Sequence, residues 1–344
     1  MKTYNSQNTV NVGVLGYGYW GPNLVRNFIN NGINVKFVAD LSPQKLSKVK
    51  SLNPAINTTT SVDDVFNDNT VDAVVIALPV SLHYEMAKKA LSAGKHVLVE
   101  KPMTDGVDTS IELIELAQKK NKVLMCDHTF LYTGAVKKIW QMVQDKYLGN
   151  LQYFDSVRVN LGLFQNDINV IWDLAPHDIS ILSYLYTSEP YCVSATGCSH
   201  ANIKGVGIEN IAYLTMFYQS GFIAHTSVSW ISPVKIRKIL IGGEQRMVVY
   251  DDIEPTEKVK IYDSGYKVTS DEEQNSFKVD YRTGDIFIPK LDTTEALKGV
   301  VTDFISAVVN KTDPISNAEL GYKVVKVLQA SEQSVKQNGK AVKL

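Results

Sequence analysis

The sequence predicts an α/β protein: a doubly wound parallel sheet at the N-terminus, then an α+β domain with a large open, mainly antiparallel sheet. From residue 10 to about residue 128, continuous runs of Val, Ile and Leu alternate with helical segments. That pattern is typical of parallel strands covered by helices on both faces. After about residue 150, strand patterns follow one another across short turns such as Gln219-Ser220-Gly221. Short turns between strands indicate antiparallel pairing.

Helical segments separate the strands predicted for the first domain. One begins at Ser42-Pro43, where serine can cap a helix and proline suits the first turn. Another ends at Ala93-Gly94, because glycine readily closes a helix C-terminus. The predicted strands are Val10–Leu15, Val35–Asp40, Ile56–Ser61, Ala73–Pro79, His96–Glu100 and Val123–Asp127.

A helix over about residues 134–147 marks the change of pattern, and further helices are predicted over Trp172–Leu185 and Glu295–Gln337. The polar segment Asp263–Thr283 fits a long hairpin or a loop. We therefore expect two domains, residues 10–128 and 129–344. The strands predicted in the second are Tyr153–Asn160, Val193–Cys198, Ile208–Gln219, Phe222–Ser229, Ile236–Gly242 and Arg246–Tyr250.

Composition narrows the class of protein. The 344 residues exceed the size that one hydrophobic core usually serves. A net charge of −1 gives no field that would attract nucleic acid or an anionic membrane. No run approaches the ~20 apolar residues of a membrane span, and the polar N-terminus lacks a signal core. Cys126, Cys192 and Cys198 form no metal-binding spacing, so we expect free thiols, no metal and a cytoplasmic location.

A glycine turn points to a dinucleotide. The strand Val10–Leu15 runs into Gly16-Tyr17-Gly18-Tyr19-Trp20-Gly21, and a helix opens at Pro22. This arrangement places a pyrophosphate on a helix N-terminus. Asp40 ends the next strand, 19 residues beyond Gly21, where a carboxylate accepts hydrogen bonds from ribose hydroxyls and repels a 2′-phosphate. Leu41 follows instead of a basic residue, which favours NAD over NADP; the alternative is a structural turn with Asp40 capping the next helix.

Two further segments add to the evidence from the glycine turn. One is Leu78-Pro79-x-x-x-His83, and the other runs from Ala93-Gly94-Lys95-His96 to Glu100-Lys101-Pro102. Together with the glycine turn they resemble the Gfo/Idh/MocA oxidoreductases, a family that includes glucose–fructose oxidoreductase, inositol dehydrogenase and nucleotide-sugar dehydrogenases. The resemblance covers nearly the whole chain. It implies a Rossmann domain followed by a domain with a large open sheet.

The resemblance also implies a catalytic set. It places Lys101 beside the nicotinamide and an Asp-x-x-x-His pair on a helix of the substrate domain. Here Trp172-Asp173-Leu174-Ala175-Pro176-His177-Asp178 supplies Asp173 and His177 four residues apart, on one helical face. Such a set suits oxidation of a secondary alcohol, in which a base takes the hydroxyl proton as hydride leaves. We predict His177 as the base, Lys101 as the cation that polarises the oxygen, and Asp173 as an orienting residue or a hydrogen-bond partner of the substrate.

Other residues are candidates with alternatives. Leu78, Pro79, His83 and Glu100 match family positions along the cofactor. His128 and Tyr132 follow the last strand of the first domain, where members contact substrate, although Leu131-Tyr132 stands where many carry Arg-Phe. His96 fits a satisfied core histidine, and Asp178 fits a structural salt bridge. Further substrate candidates are Arg158, Trp172, Lys235 and Arg237, of which the last two could hold a phosphate or only solvate a sheet rim or subunit interface.

The catalytic-helix segment and Ser229–Lys235 look most like members that oxidise the 3-hydroxyl of a UDP-linked N-acetylated sugar in glycan biosynthesis. We therefore expect an NAD-dependent sugar dehydrogenase resembling UDP-N-acetylglucosamine 3-dehydrogenase. The alternatives are an inositol or aldose dehydrogenase, an NAD-dependent glycosidase and a non-catalytic NAD-binding sensor. The open sheet face predicts a homodimer or homotetramer.

Overall fold

The computed structural model describes residues 10–162, 164, 168–200, 202–203, 206–271 and 276–344. Their contacts divide into two compact units, described separately below. The first contains the residues up to Thr133 together with Thr294–Lys326, and the second contains Gly134–Thr293 with Val327–Leu344. Each unit is therefore built from two stretches of chain.

The helices of the described residues, in chain order, are α1 (Gly21–Asn30), α2 (Pro43–Leu52), α3 (Val62–Phe66), α4 (His83–Ser92), α5 (Val107–Lys120), α6 (Gly134–Gln144), α7 (Val170–Leu185), α8 (Ala296–Asn310) and α9 (Ala318–Lys336). None of these helices is long and apolar enough to cross a bilayer.

The first unit contains a six-stranded parallel sheet in the order β3-β2-β1-β4-β5-β6. This is the doubly wound order of dinucleotide-binding domains, so the predicted fold class is confirmed. Its central strands are apolar and buried, as the runs of Val and Ile predicted. The strands are β1 (Asn11–Leu15), β2 (Asn34–Ala39), β3 (Asn57–Thr59), β4 (Ala73–Ile76), β5 (His96–Glu100) and β6 (Leu124–Asp127).

All six strands point the same way, so their carboxyl ends meet at one edge of the sheet. Leu15 of β1 pairs with Ala39 of β2 and with Ile76 of β4. Glu100 of β5 pairs with Asp127 of β6. The residues that follow these strand ends therefore lie along a single edge.

A late segment of the chain completes the first unit. The helix predicted over Glu295–Gln337 is interrupted, because α8 ends at Asn310 and the next residue, Lys311, is left-handed (φ 55°). The intervening residues reach the edge strand β6. The backbone N–H of Cys126 donates to the Ser316 carbonyl (3.1 Å), and the Ser316 hydroxyl donates to the Cys126 carbonyl (2.5 Å). The break in the predicted helix thus covers an otherwise unpaired edge.

The second unit contains a nine-stranded sheet in the order β18-β15-β14-β13-β7-β12-β11-β8-β19. Its pairs are antiparallel except for β7 and β12, which confirms the open, mainly antiparallel sheet. The strands are β7 (Leu151–Leu161), β8 (Cys192–Cys198), β9 (Asn202–Ile203), β10 (Val206–Gly207), β11 (Ile211–Phe217), β12 (Ile223–Ser229), β13 (Ile231–Gly243), β14 (Met247–Asp251), β15 (Val259–Tyr262), β16 (Gly265–Asp271), β17 (Ser276–Arg282), β18 (Ile286–Phe287) and β19 (Val342–Lys343). Strands β16 and β17 form a hairpin, the first of the two alternatives for Asp263–Thr283.

Helix α7 packs against β7, β11 and β12 of this sheet. It begins at Val170, two residues earlier than predicted, because the Asn169 side chain caps it. Asn169 Oδ1 accepts hydrogen bonds from the backbone N–H of Ile171 (3.1 Å) and of Trp172 (3.2 Å). Capping satisfies two of the four donors that a helix N-terminus leaves open. The helix that carries Asp173 and His177 is therefore fixed at its first turn.

Candidate active site

The glycine turn after β1 has the shape that a dinucleotide requires. Gly16 has a φ of 94°, and a Cβ there would lie 2.3 Å from the Ala77 carbonyl oxygen. At Gly21 a Cβ would lie 2.2 Å from the Gly16 oxygen, so both positions exclude larger residues. At Gly18 nothing lies within 4 Å of such an atom. The bare backbone at Gly18, just before the N-terminus of α1, leaves room for close approach of a pyrophosphate.

Asp40 ties this turn to the following helix. One carboxylate oxygen accepts the backbone N–H of Tyr17 (2.7 Å), and the other accepts the N–H of Ser42 (2.8 Å). Burial disfavours the charge, but these two bonds and the Lys45 ammonium (3.3 Å) outweigh it and lower the pKa of Asp40. Asp40 is thus an ionised acceptor at the strand end predicted to meet the ribose. It also contacts the start of α2, as the alternative interpretation expected.

His83 fixes the backbone around Lys101. The side chain is fully buried, with Nδ1 2.8 Å from the Pro102 carbonyl oxygen and Nε2 2.8 Å from that of Leu78. Burial lowers the pKa of His83, although both carbonyls favour its cation. Since both ring nitrogens contact protein backbone, His83 joins the Leu78-Pro79 segment to the Lys101-Pro102 segment. The Lys101-Pro102 bond is cis.

Two buried acids lie next to Lys101 at the sheet edge. Glu100 and Asp127 are register partners on β5 and β6, and both are buried. Burial raises the pKa of each carboxyl, and the nearby Asp127 raises that of Glu100 further. The Thr129 hydroxyl donates to Asp127 Oδ1 (2.7 Å). The pair therefore favours retention of a proton beside the Lys101 position.

His128 follows Asp127 and is also buried. Burial, followed by the charge of Lys101, lowers the pKa of His128 to about 3, so the imidazole is neutral at ordinary pH. Among the residues that the structure describes, both nitrogens of His128 and Oδ2 of Asp127 are buried without a hydrogen-bond partner. Buried polar atoms of this kind need a partner. They are suited to bind a hydroxyl or amide of a ligand.

Tyr132 does not share this character. Its side chain is buried, and its hydroxyl donates to Asp303 of α8 (2.7 Å) and accepts the N–H of Ser316 (3.2 Å). These contacts use the hydroxyl inside the first unit. They give Tyr132 a structural role there, and its substrate contact stays a prediction.

In the second unit, α7 presents Asp173 and His177 one turn apart, both partly exposed. The Trp230 indole N–H donates to Asp173 Oδ2 at 2.9 Å. Asp178 forms a two-bond pair with Arg158 of β7: Nε to Oδ2 is 3.0 Å, and Nη2 to Oδ1 is 2.8 Å. This buried ion pair fits the structural role expected of Asp178. It anchors the turn of α7 that carries Asp173 and His177 to the sheet.

The remaining substrate candidates fall into two groups, those that contact other protein residues and one that is exposed. Arg158 is only 3% exposed and uses its guanidinium on Asp178, and the Trp172 indole N–H donates to Glu332 of α9 (3.2 Å). Both contacts lie within the second unit, and a substrate contact by either residue stays a prediction. Arg237 is half-buried and pairs with Asp252 (3.3 Å), so its charge already has an anionic partner. Lys235 lies exposed in an irregular part of β13, and its amine remains a candidate for a substrate phosphate.

Sequence reasoning did not find Asp127 or Trp230 as site residues. Asp127 ends β6, the strand next to β5, which ends at Glu100. The sequence could have indicated Asp127 because both acids follow buried strands at the same edge of the sheet. Trp230 lies 57 residues from Asp173, so no local spacing connects them. His96 behaves as the expected core histidine: its Nδ1 accepts the Val123 N–H (3.0 Å), and burial lowers its pKa to about 4.

The sheet order, the glycine turn and the acidic residue at the end of β2 define a dinucleotide-binding class of protein. Comparison with known families makes the assignment specific. The chain belongs to the GFO/IDH/MocA oxidoreductases: residues 10–128 match the oxidoreductase-family NAD-binding Rossmann fold, and residues 136–250 match the GFO/IDH/MocA C-terminal domain. The first unit is accordingly an NAD-binding domain, and the residues of its glycine turn fit that cofactor.

Relatives with curated descriptions include an uncharacterized oxidoreductase of Schizosaccharomyces pombe, 29% identical over 181 residues, or 50% of this chain and 49% of that protein. The UDP-N-acetylglucosamine 3-dehydrogenase of Acidithiobacillus ferrooxidans is 30% identical over 198 residues, or 57% of this chain and 59% of that protein. The matches thus span about half of these relatives' own length. A solved structure of the Acidithiobacillus enzyme superposes with a TM-score of 0.81 at 23% identity, covering 96% of this chain and 99% of that one. At that identity the superposition establishes the shared fold.

Proposed function

We propose that this protein is an NAD-dependent dehydrogenase that oxidises a secondary hydroxyl of a sugar, with the 3-hydroxyl of a UDP-linked N-acetylated sugar as its substrate. The observation that carries the proposal is the set of acid/base residues formed by Lys101, Asp173 and His177. Lys101 follows β5 at the edge of the NAD-binding sheet, and Asp173 and His177 share one face of α7. A non-catalytic sensor needs no such set. The similarity to a UDP-N-acetylglucosamine 3-dehydrogenase supports the choice of substrate.

The reaction assigns one task to each group. Bound NAD would supply the hydride acceptor. The hydroxyl must lose its proton as its carbon loses hydride, and His177 is the base that receives that proton. The ammonium of Lys101 stabilises negative charge on the same oxygen. Asp173 orients the substrate or the base.

Two further residues supply substrate contacts in this proposal. The neutral, unpartnered imidazole of His128 binds a sugar hydroxyl, because a buried polar pocket rejects substrates that lack the matching group. Lys235 contributes an exposed ammonium on a flexible stem for the diphosphate. A 3-keto nucleotide sugar is a suitable precursor for transamination, so we propose a role in glycan biosynthesis in the cytoplasm.

We also propose that the second unit mediates assembly into a homodimer or homotetramer. Its sheet packs α7 on one face, and side chains that point to the other face include the exposed Tyr213 and Ile223. An open sheet face of this size usually finds a partner. Light scattering of the purified protein would give a mass of two or four chains, and a dilute monomer contradicts this part of the proposal.

The test is a spectrophotometric assay of NADH formation with UDP-N-acetylglucosamine, its uronate, free N-acetylglucosamine and inositols. We expect turnover with the UDP-sugars. Lys101→Ala is expected to lower kcat by about 100-fold or more while NADH binding persists. Lys48→Ala, an exposed lysine on α2, is the matched control with wild-type activity. Turnover of free inositols alone, sugar release without net NADH, or an unaffected Lys101→Ala enzyme each contradicts the proposal.

A further inference from the structure

Trp230 lies between β12 and β13, and its indole holds the Asp173 carboxylate of α7. The Trp230 indole is 1% exposed, and its N–H donates to Asp173 Oδ2 at 2.9 Å. An indole N–H is a donor only, and a buried one requires an acceptor. It also does not titrate, so the bond persists whichever protonation state His177 adopts. Asp173 therefore has a fixed neighbour throughout a proton-transfer cycle.

The indole itself has little freedom to move. The Trp230 backbone N–H donates to the Asn210 carbonyl (2.9 Å), and its carbonyl accepts the N–H of Gly162 (2.9 Å). A Cβ at Gly162 would lie 2.6 Å from Cδ1 of the indole, so the absence of a side chain there leaves space for the ring. Trp230 is thus held by hydrogen bonds of its backbone N–H and carbonyl, and its ring packs closely against Gly162.

The helix that carries the acceptor is fixed to the same short segment. The Val170 N–H donates to the Glu209 carbonyl (3.0 Å), and the Asn169 amide donates to the Glu209 carboxylate (3.1 Å). Glu209 therefore anchors the start of α7, while its neighbour Asn210 anchors Trp230. The adjacent residues Glu209 and Asn210 therefore fix both the helix that carries the carboxylate and the backbone that carries the indole. Precise orientation of a side chain requires such support.

Building on the proposed function, we propose that Trp230 is a positioning residue that acts through Asp173. It fixes the orientation of that carboxylate, and Asp173 lies one turn from His177 on the same helical face. Loss of the indole N–H removes this constraint on the orientation of the carboxylate. The expected result is slower hydride transfer, with cofactor binding in the first unit unchanged.

The test is a double-mutant cycle on the full-length protein. Trp230→Phe keeps an aromatic ring and removes the donor, and we expect kcat to fall about 10- to 100-fold with unchanged NADH affinity. In an Asp173→Ala background the same substitution should not lower kcat further, since the carboxylate that the indole orients is absent. Trp140→Phe, on the partly exposed ring of α6 that stacks on Tyr184, is the control with wild-type kcat.

A readout independent of activity accompanies the cycle. The indole N–H resonances of the four tryptophans can be resolved by NMR in the presence of NADH. Asp173→Ala should shift the resonance that Trp230→Phe removes; if Trp230→Phe does not fold, substitutions at the other three tryptophans assign it. An unmoved resonance overturns the inference, as does an equal loss of kcat in both backgrounds. Absence of turnover by the wild-type protein on the whole sugar panel overturns the proposed function, and this inference with it.

Discussion

The two units hold their candidate catalytic residues by different means. In the first unit the contacts run through the main chain: His83 bonds two backbone carbonyls, and Asp40 accepts the N–H groups of Tyr17 and Ser42. Around Asp173 and His177 the contacts run between side chains from distant strands, namely the Trp230 indole and the Arg158–Asp178 pair. A main-chain scaffold depends on glycine and turn geometry. A side-chain scaffold depends on a few buried polar pairs.

The largest effect is expected from the side-chain scaffold. Arg158→Met leaves the Asp178 carboxylate buried without its cation, which costs about 3–5 kcal/mol in the free energy of unfolding. Urea denaturation followed by tryptophan fluorescence measures this loss. The double variant Arg158→Met/Asp178→Leu should recover most of it, because the unpaired charge is gone.

The exposed pair Arg26–Glu295 (2.6 Å) is the matched control, since Arg26→Met removes the same charge at a solvated surface. We expect little change in the urea midpoint there. Equal losses for Arg158→Met and Arg26→Met would show that the buried pair does not anchor α7.

The main-chain scaffold is tested at two glycines of the same turn. Gly16→Ala forces a non-glycine residue into the left-handed region against the Ala77 carbonyl and should cost about 1–3 kcal/mol of stability. Gly18→Ala meets no protein atom, so stability should be unchanged while NADH affinity falls. Thermal melts and NADH fluorescence titrations separate the two outcomes. Normal NADH affinity in Gly18→Ala would remove the pyrophosphate from this turn.

A smaller, pH-dependent effect is expected at the acid pair beside Lys101. The pKa values of Glu100 and Asp127 are raised by burial, so the folded state binds protons more tightly than the unfolded state. Stability is therefore lost as pH rises from about 4 through the raised pKa values. Asp127→Asn removes one charge and keeps an acceptor for Thr129. We expect it to match the wild type near pH 4 and to exceed it by about 1–3 kcal/mol near pH 8.

Urea midpoints at the two pH values measure this difference. Glu115→Gln, an exposed carboxylate on α5, should show no pH-dependent gain. A constant offset between Asp127→Asn and the wild type at both pH values would mean that Asp127 does not retain a proton in the folded protein.

The same contrast explains what the sequence could predict. The glycine turn, Asp40 and Lys101 follow their strands directly, so periodicity and motif spacing located them along one sheet edge. The i and i+4 placement of Asp173 and His177 is equally local. Arg158 and Trp230 lie 20 and 57 residues from their partners, and only tertiary packing connects them. For Arg158 and Tyr132 the sequence alone does not distinguish a polar side chain that contacts a ligand from one that contacts another residue.

The predicted boundaries of some helices differ from the observed ones for a related reason. The helical periodicity over Glu295–Gln337 is real, but it contains a break that serves a long-range contact. Nothing local indicates that the residues between α8 and α9 pair with β6. The early start of α7 was visible in principle, since asparagine is a favoured helix cap.

The pairing of Ser316 with Cys126 has a consequence for synthesis of the protein. The ribosome completes the six parallel strands almost two hundred residues before it makes the segment that covers their open edge. During that interval the nascent chain presents a row of unsatisfied amides and carbonyls, a template for intermolecular association. A chain truncated after residue 133 should consequently be recovered in inclusion bodies, and co-expression of the missing C-terminal peptide should restore its solubility.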